Sequence, residues 1–475
     1  MILTLRRLLL LPCLLLSLSA AAADFPRHGL PGADIADALD DAKEHPLQYA
    51  VGLPLDLGVA DGGWDSPAAG IARWRLGIDS QGAESLALSL EDLKLPAGAE
   101  LRWIGEDSGD AQGPLAAEAD GSLLLPVVRG GHALLELRLP AARKGGFGLH
   151  IVEAQHGYRG FPTAGTAKGN FGTSGACNVD VACSAANDWL PQVRSVVLIT
   201  LNNRALCTGT LVNNVRLDET PYILTANHCD LDQVAASGIR AYFNVNRGGC
   251  GSGSNGRVDQ FITAKELVAR NPTSDFALLQ LRGPADGAPP VTNYNVYFAG
   301  WDVSGTTPSS GAAIHHPSGD DKKISRYSGG VSKKNNTAVG DFTVDAWEVF
   351  WNSGTTEGGS SGAALWNQSG RVIGTLSGGS ANCSGSQPND KPDYFGRLEL
   401  AWLGEDKAIG NNLKIYLDPD NSGTTVLNGL NRGVDPPPAT EPPSSGGDGG
   451  GGGGALPASL LALLLTLGAL RRARR

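Results

Sequence analysis

The sequence predicts an all-β protein, and three observations carry that prediction. Apolar residues recur in short runs, many of them alternating, such as Ala72–Gly77, Leu134–Leu139 and Phe276–Leu281. Turn formers punctuate the runs throughout, with 65 glycines and 28 prolines in 475 residues. No long amphipathic helical pattern separates the runs, which fits barrels or sandwiches rather than alternating strands and helices.

The elements divide the chain into five parts. Residues 1–23 read as a secretory signal peptide: Arg6 and Arg7 precede an apolar run from Leu8 to Leu18, and Ala21-Ala22-Ala23 offers a small-residue cleavage site before Asp24. Residues 24–168 form a β-rich module with no reactive constellation, in which His132, His150 and His156 read as structural. Its position behind an export signal suggests a propeptide that assists folding and blocks the cleft until it is cut off. Residues 169–431 form a second β unit, with strands predicted at Val196–Thr200, Tyr222–Thr225, Phe276–Leu281 and Arg371–Leu376. Residues 432–454, rich in Pro, Ser and Gly, read as a flexible linker. Residues 455–475 are an apolar stretch closed by Arg471, Arg472, Arg474 and Arg475, short for a stable membrane span. This tail resembles the bacterial GlyGly-CTERM sorting signal. That resemblance implies export and tail-processing machinery as partners, transient membrane association, and a secreted or cell-surface destination. A tail anchor left in place is the alternative.

The formal charge of −10 argues against a nucleic-acid partner, which would leave a basic stripe. Apart from Cys13 in the leader, six cysteines remain, all in the second unit. An even count in an exported chain implies three disulfides, and counting alone leaves 15 pairings open. No C-x-x-C spacing is present, so zinc is not expected, and no cofactor is implied.

Three motifs carry chemistry. LTANHC ends a strand on His228 and follows it with a cysteine that would pin the backbone aiming the ring. TSDFALLQL sets Asp275 at the start of an apolar strand, where it could orient an imidazole, although such an aspartate is also a common turn former. EGGSSGAAL presents two serines in a glycine-rich turn. Serine-dependent amide hydrolysis needs a base, an orienting carboxylate and backbone donors for the oxyanion. The order His, Asp, Ser is that of the chymotrypsin-like enzymes.

These stretches, with GTSGACNVDVAC, CTGTLVNN, AIHHPSGDDKKIS and PDYFGR, resemble the bacterial lysyl endopeptidase family of trypsin-like serine proteases. The resemblance implies a chymotrypsin-like double β-barrel. It also implies His228 as general base, Asp275 as its orienting acid and Ser361 as nucleophile, with Gly359 and Ser361 donating to the oxyanion. The implied disulfides are Cys177–Cys383, Cys183–Cys250 and Cys207–Cys229, each contributing about 3 kcal/mol. Asp393 is the implied pocket acid for a basic side chain, with Glu357 beside it. Ser377 stands where lysyl endopeptidases commonly carry a histidine, which extends the expected preference from lysine to arginine. In ordinary trypsin-like enzymes such a serine bonds the triad aspartate. Trp347 and Trp351 lie near, but out of register with, the tryptophan that the family sets beside the triad. His315 and His316 read as structural. Ser360 occupies the position of the aspartate that receives a freed N-terminus in animal trypsin-like enzymes, so activation must proceed differently. Lys168, in TAKGNFG, is the expected self-cleavage point. Protein and peptide substrates follow, and the module is the enzyme's own first partner. Two competing readings are a non-catalytic surface binding protein on a protease scaffold and a protease with a different pocket preference.

Overall fold

A computed structural model describes residues 25–42, 48–159, 174–253, 256–403 and 412–439. The expected signal peptide, Lys168, most of the expected linker and the expected sorting tail lie outside the described residues. Among those described, no helix is long and apolar enough to cross a membrane.

The N-terminal module is a β-sandwich. One sheet runs in the order Arg27–Gly29, Ile71–Asp79, His132–Pro140, Glu100–Gly105, Ala111–Leu115; the other runs Ala50–Gly58, Gly148–Gly157, Ser85–Lys94, Leu123–Leu124. Strand alternation turns Trp74, Trp103, Leu88, Leu135 and Ile151 into one buried core between them. A helix, Gly32–Ala42, contributes Ile35 to that core. The apolar run Leu123–Val128 does not form one strand but is broken into Leu123–Leu124 and Val128–Arg129. Pro126 lies in the break and has no N–H to donate to a ladder.

The second unit is built from two barrels. In the first, β1 (Val196–Leu201), β2 (Ala205–Val212), β3 (Tyr222–Thr225), β4 (Ile239–Tyr242), β5 (Phe261–Asn271) and β6 (Phe276–Leu281) close in the order β1-β2-β3-β6-β5-β4. Its interior is apolar, with Ile199, Leu211, Ile223, Phe243 and Leu279 buried together. The second comprises β7 (Ser310–His315), β8 (Lys323–Ser328), β9 (Ser332–Val339), β10 (Phe342–Val349), β11 (Ala364–Asn367), β12 (Val372–Gly379) and β13 (Asp393–Arg397). They pair in the order β8-β7-β11-β12-β13-β10-β9. A bridge between Arg326 of β8 and Ser353, just beyond β10, joins the two ends of the path from β8 to β10. The hairpin β9–β10 projects from this barrel.

The sandwich docks on the outside of the first barrel. Tyr49, Ala50, Ala87 and Val127 pack with Leu198, Leu206, Tyr242 and Val245 in one buried cluster. Polar contacts surround it: Arg240 donates to the carbonyls of Leu124 and Leu125, Asn203 to that of Leu125 at 2.8 Å, and Arg282 pairs with Glu118 at 2.7 Å. The break at Pro126 thus supplies the carbonyls that the barrel reads.

The C-terminal segment departs from the expected linker boundary. Leu430–Arg432 pairs with Val296–Phe298, and residues 434–439 continue along the same unit. The Asn295 side chain exchanges two hydrogen bonds with the backbone of Val434, and Asn187 does the same with Ala439. The buried Arg194 pairs with Asp435 at 2.6 Å. A chain with this many fixed partners is not a flexible coil between 432 and 439.

Candidate active site

The histidine, the aspartate and the serine come from three separate turns that the barrels bring together. β3 ends in a short helical turn, Asn227–Cys229, and the disulfide Cys207–Cys229 ties that turn to β2. Asp275 precedes β6 in a left-handed conformation with φ +48°, a strained position for a non-glycine residue. Its carboxylate is 1 % exposed and doubly engaged: Oδ2 lies 2.9 Å from His228 Nδ1, and Oδ1 accepts the His228 backbone N–H at 2.9 Å. These two bonds fix both the ring and the backbone that carries it. Asp275 is therefore more than a turn former.

Ser361 sits in the turn before β11. Its carbonyl accepts the Thr208 N–H at 2.8 Å, which fastens the turn to the first barrel. His228 and Ser361 line one cavity of about 450 Å³, together with Thr356, Glu357, Gly358, Leu376, Gly378, Gly379, Ala381, Asn382 and Asp393. Gly359, at φ +89°, has room for no side chain: a Cβ would stand 3.0 Å from the His316 carbonyl.

Asp393 is buried, with Oδ2 accepting from Trp351 Nε1 and Thr356 Oγ1, both at 2.7 Å. Burial pushes its carboxyl up to about 6, against the opposing effect of those two donors. Gly378 and Gly379 leave the approach open, since a Cβ on Gly379 would meet Asp393 Oδ1 at 2.3 Å. Glu357 lines the same cavity, but its carboxylate has protein partners already. It accepts from the Gly175 backbone and the Asn178 side chain at 2.7 and 2.6 Å, and from Ser318 Oγ at 2.7 Å. It thus holds the start of the protease unit against the pocket, where Cys177–Cys383 holds it covalently. The third disulfide is Cys183–Cys250.

Several expectations change. Ser377 is buried and its hydroxyl bonds no protein group, so it does not hold Asp275; its neighbours Leu376 and Gly378 line the cavity while its own side chain points away. Neither tryptophan stands beside the triad. Trp347 is core, donating to the Ile373 carbonyl at 3.0 Å, and Trp351 reaches Asp393. The ring next to His228 is Phe342, stacked on it with centroids 5.5 Å apart and planes 24° apart. It is carried there by the projecting hairpin, and its only sequence signal was an aromatic residue at a strand start. No described residue before Ser174 lines the cavity, and the contacts of the sandwich lie on the outer face of the first barrel; residues 160–168 of the expected propeptide lie outside the described residues. Among the described residues no group of His, Cys, Asp and Glu could hold a metal ion.

A family model for "Lysyl endopeptidase, C-terminal domain" matches residues 171–396. The chain is 30% identical over 384 residues to "Lysyl endopeptidase" from Pseudomonas aeruginosa, covering 74% of this chain and 78% of that protein. Among solved structures, Rv3671c from M. tuberculosis in an inactive form overlays 46% of this chain and 89% of that one, at 16% identity and TM-score 0.31. The HtrA-type protease AlgW with a tripeptide overlays 45% and 60%, at 20% identity and TM-score 0.29. Overlays this weak add nothing to the topology above, and the sequence relationship decides the matter. The chain belongs to the lysyl endopeptidase family of serine proteases.

Proposed function

We propose that this serine protease is an endopeptidase cutting after lysine, and also after arginine, with Ser361 as nucleophile. The observation that carries the reading is one cavity lined by His228, Ser361 and the buried Asp393. His228, held at Nδ1 by Asp275, presents Nε2 to take the Ser361 proton as Oγ attacks the carbonyl carbon. The N–H groups of Gly359 and Ser361 receive the oxygen as it becomes negative. His228 then returns the proton to the leaving amine, and water repeats the sequence on the acyl-enzyme. Phe342 shields one face of the imidazole from solvent.

The basic side chain of the residue before the cut would lie along the glycine-lined wall, with its charge toward Asp393. The ionised carboxylate is costly when the pocket is empty, and an incoming ammonium or guanidinium relieves that cost. Glu357 contributes negative potential at the rim. Export, cleavage after Lys168 and removal of the tail complete the proposal, with the sandwich acting on folding from the back of the first barrel. A fluorophosphonate probe tests the nucleophile: labelling confined to Ser361 and lost in Ser361→Ala supports the reading, while an unlabelled mature protein favours a binding protein on this scaffold.

A further inference from the structure

The loop after β7, His315-His316-Pro317-Ser318-Gly319, engages residues 357 to 360 of the nucleophile turn one after another. Ser318 Oγ donates to Glu357 Oε2 at 2.7 Å. The Ser318 N–H donates to the Gly358 carbonyl at 2.6 Å. The His316 N–H donates at 3.1 Å to Thr208 Oγ1, which donates in turn to the Gly359 carbonyl at 2.9 Å. His315 Nδ1 lies 2.8 Å from Ser360 Oγ. Ser318 holds φ +52°, a conformation unfavourable for serine, to make its two contacts.

Peptide planarity turns these bonds into a statement about the oxyanion donors. In a trans peptide the C=O and N–H point in opposite directions. Fixing the Gly358 carbonyl on Ser318 therefore aims the Gly359 N–H away from the loop. The Ser360 carbonyl is likewise fixed by the Ala363 N–H at 2.9 Å, which sets the Ser361 N–H. Neither N–H has an acceptor among the described residues.

The side-chain relay has only one consistent set of proton positions. Ser325 Oγ donates to the Thr355 carbonyl at 2.8 Å, so it accepts from His315 Nε2 at 3.0 Å. His315 Nδ1 then accepts from Ser360 Oγ, which itself accepts the Glu357 N–H at 3.2 Å. Ser360, His315, Ser325 and Thr355 are all fully buried, and the relay atoms that link them each have a partner. Burial pulls the imidazole down to about 3, so the relay does not titrate across the neutral range.

We propose that the His315–Gly319 loop braces the oxyanion hole, with His315, Ser318 and Thr208 as positioning residues. This rests on Ser361 being the nucleophile. A hydroxyl at 360 bonded to a neutral imidazole leaves no carboxylate waiting for a freed N-terminus, so the chain assembles its own hole.

The test compares two ligands on the full processed enzyme. A peptide aldehyde with a basic terminal residue forms a hemiacetal whose oxygen occupies the hole, whereas benzamidine fills the pocket alone. Thr208→Val and Ser360→Ala should each weaken the aldehyde about tenfold or more and lower kcat similarly, with KM and benzamidine affinity within about twofold; Thr208→Ser should restore both. Aldehyde affinity unmoved in both variants overturns the brace, as does a parallel loss of both ligands, which marks general damage. A wild-type protein that fluorophosphonate leaves unlabelled overturns the reading of Ser361, and the brace with it.

Discussion

The two barrels of the protease unit divide the work unequally. The interior of the first is hydrocarbon: Val197, Ile199, Leu211, Ile223 and Leu279 fill it, and the residues it lends to chemistry, His228 and Asp275, sit at strand ends. The second has an apolar cluster of its own around Trp347, Leu365 and Phe395, and beside it buries the polar His315, Ser325, Thr355, Ser360 and Asp393 near Ser361 and the cavity. The side chains of His315, Ser325, Ser360 and Asp393 are all hydrogen-bonded, so this part of the second barrel fixes the groups around Ser361 and the cavity. The difference teaches that damage to the apolar interior of the first barrel should register as lost stability, and damage to the polar groups bonded around Ser361 and Asp393 as lost chemistry.

The largest expected effect is Ser361→Ala, which should lower kcat by about 10⁵-fold or more with the fold intact, read by single-turnover kinetics and circular dichroism. Asp275→Asn follows, at about 10⁴-fold, because it removes the acceptor that fixes the His228 tautomer. Asp393→Asn sharpens the contrast. It should cost about 10²- to 10³-fold in kcat/KM for lysine and arginine substrates while Ser361 still reacts with fluorophosphonate. Leu279→Ala, in the first barrel, should do the opposite: about 2–5 kcal/mol of stability lost in urea titration, with kcat of the folded enzyme retained. A core substitution that lowered kcat at full stability would break the comparison.

The smallest effect is a pH dependence. Asp393 has a folded pKa raised to about 6 from an ordinary carboxylate value, so its contribution to stability is fully present below about pH 4 and is lost as pH rises through about 6. The empty enzyme should lose up to about 3 kcal/mol from this group between those limits. Benzamidine affinity should rise over the same window, as the carboxylate ionises. Asp393→Asn should flatten both curves; curves of unchanged slope would remove the pocket acid from the account.

Much of the site was legible because its signals are local. A histidine flanked by a cysteine, an aspartate opening a strand and a serine in a glycine turn each declare themselves within a few residues. The six cysteines paired in the structure as the family resemblance implied. What escaped the sequence depends on geometry between distant segments. Phe342 reaches His228 only because the hairpin β9–β10 projects over it. Trp351 reads in sequence only as a tryptophan out of register with the family's, and the pairing of β10 with β13 is what brings its N–H to Asp393. Ser377 has the right neighbours in sequence, yet its buried hydroxyl makes no hydrogen bond to Asp275. The docking of the sandwich likewise rests on carbonyls, which no side-chain pattern announces.

The most direct test of the central claim is cleavage of matched peptides that differ only in Lys, Arg or Glu before the scissile bond, by the wild-type enzyme and by Asp393→Asn. The account predicts that the wild type cuts the Lys and Arg peptides and leaves the Glu peptide intact, and that Asp393→Asn loses most of that preference. Equal cleavage of the Glu peptide by the wild type, or an undiminished basic preference in Asp393→Asn, would contradict it.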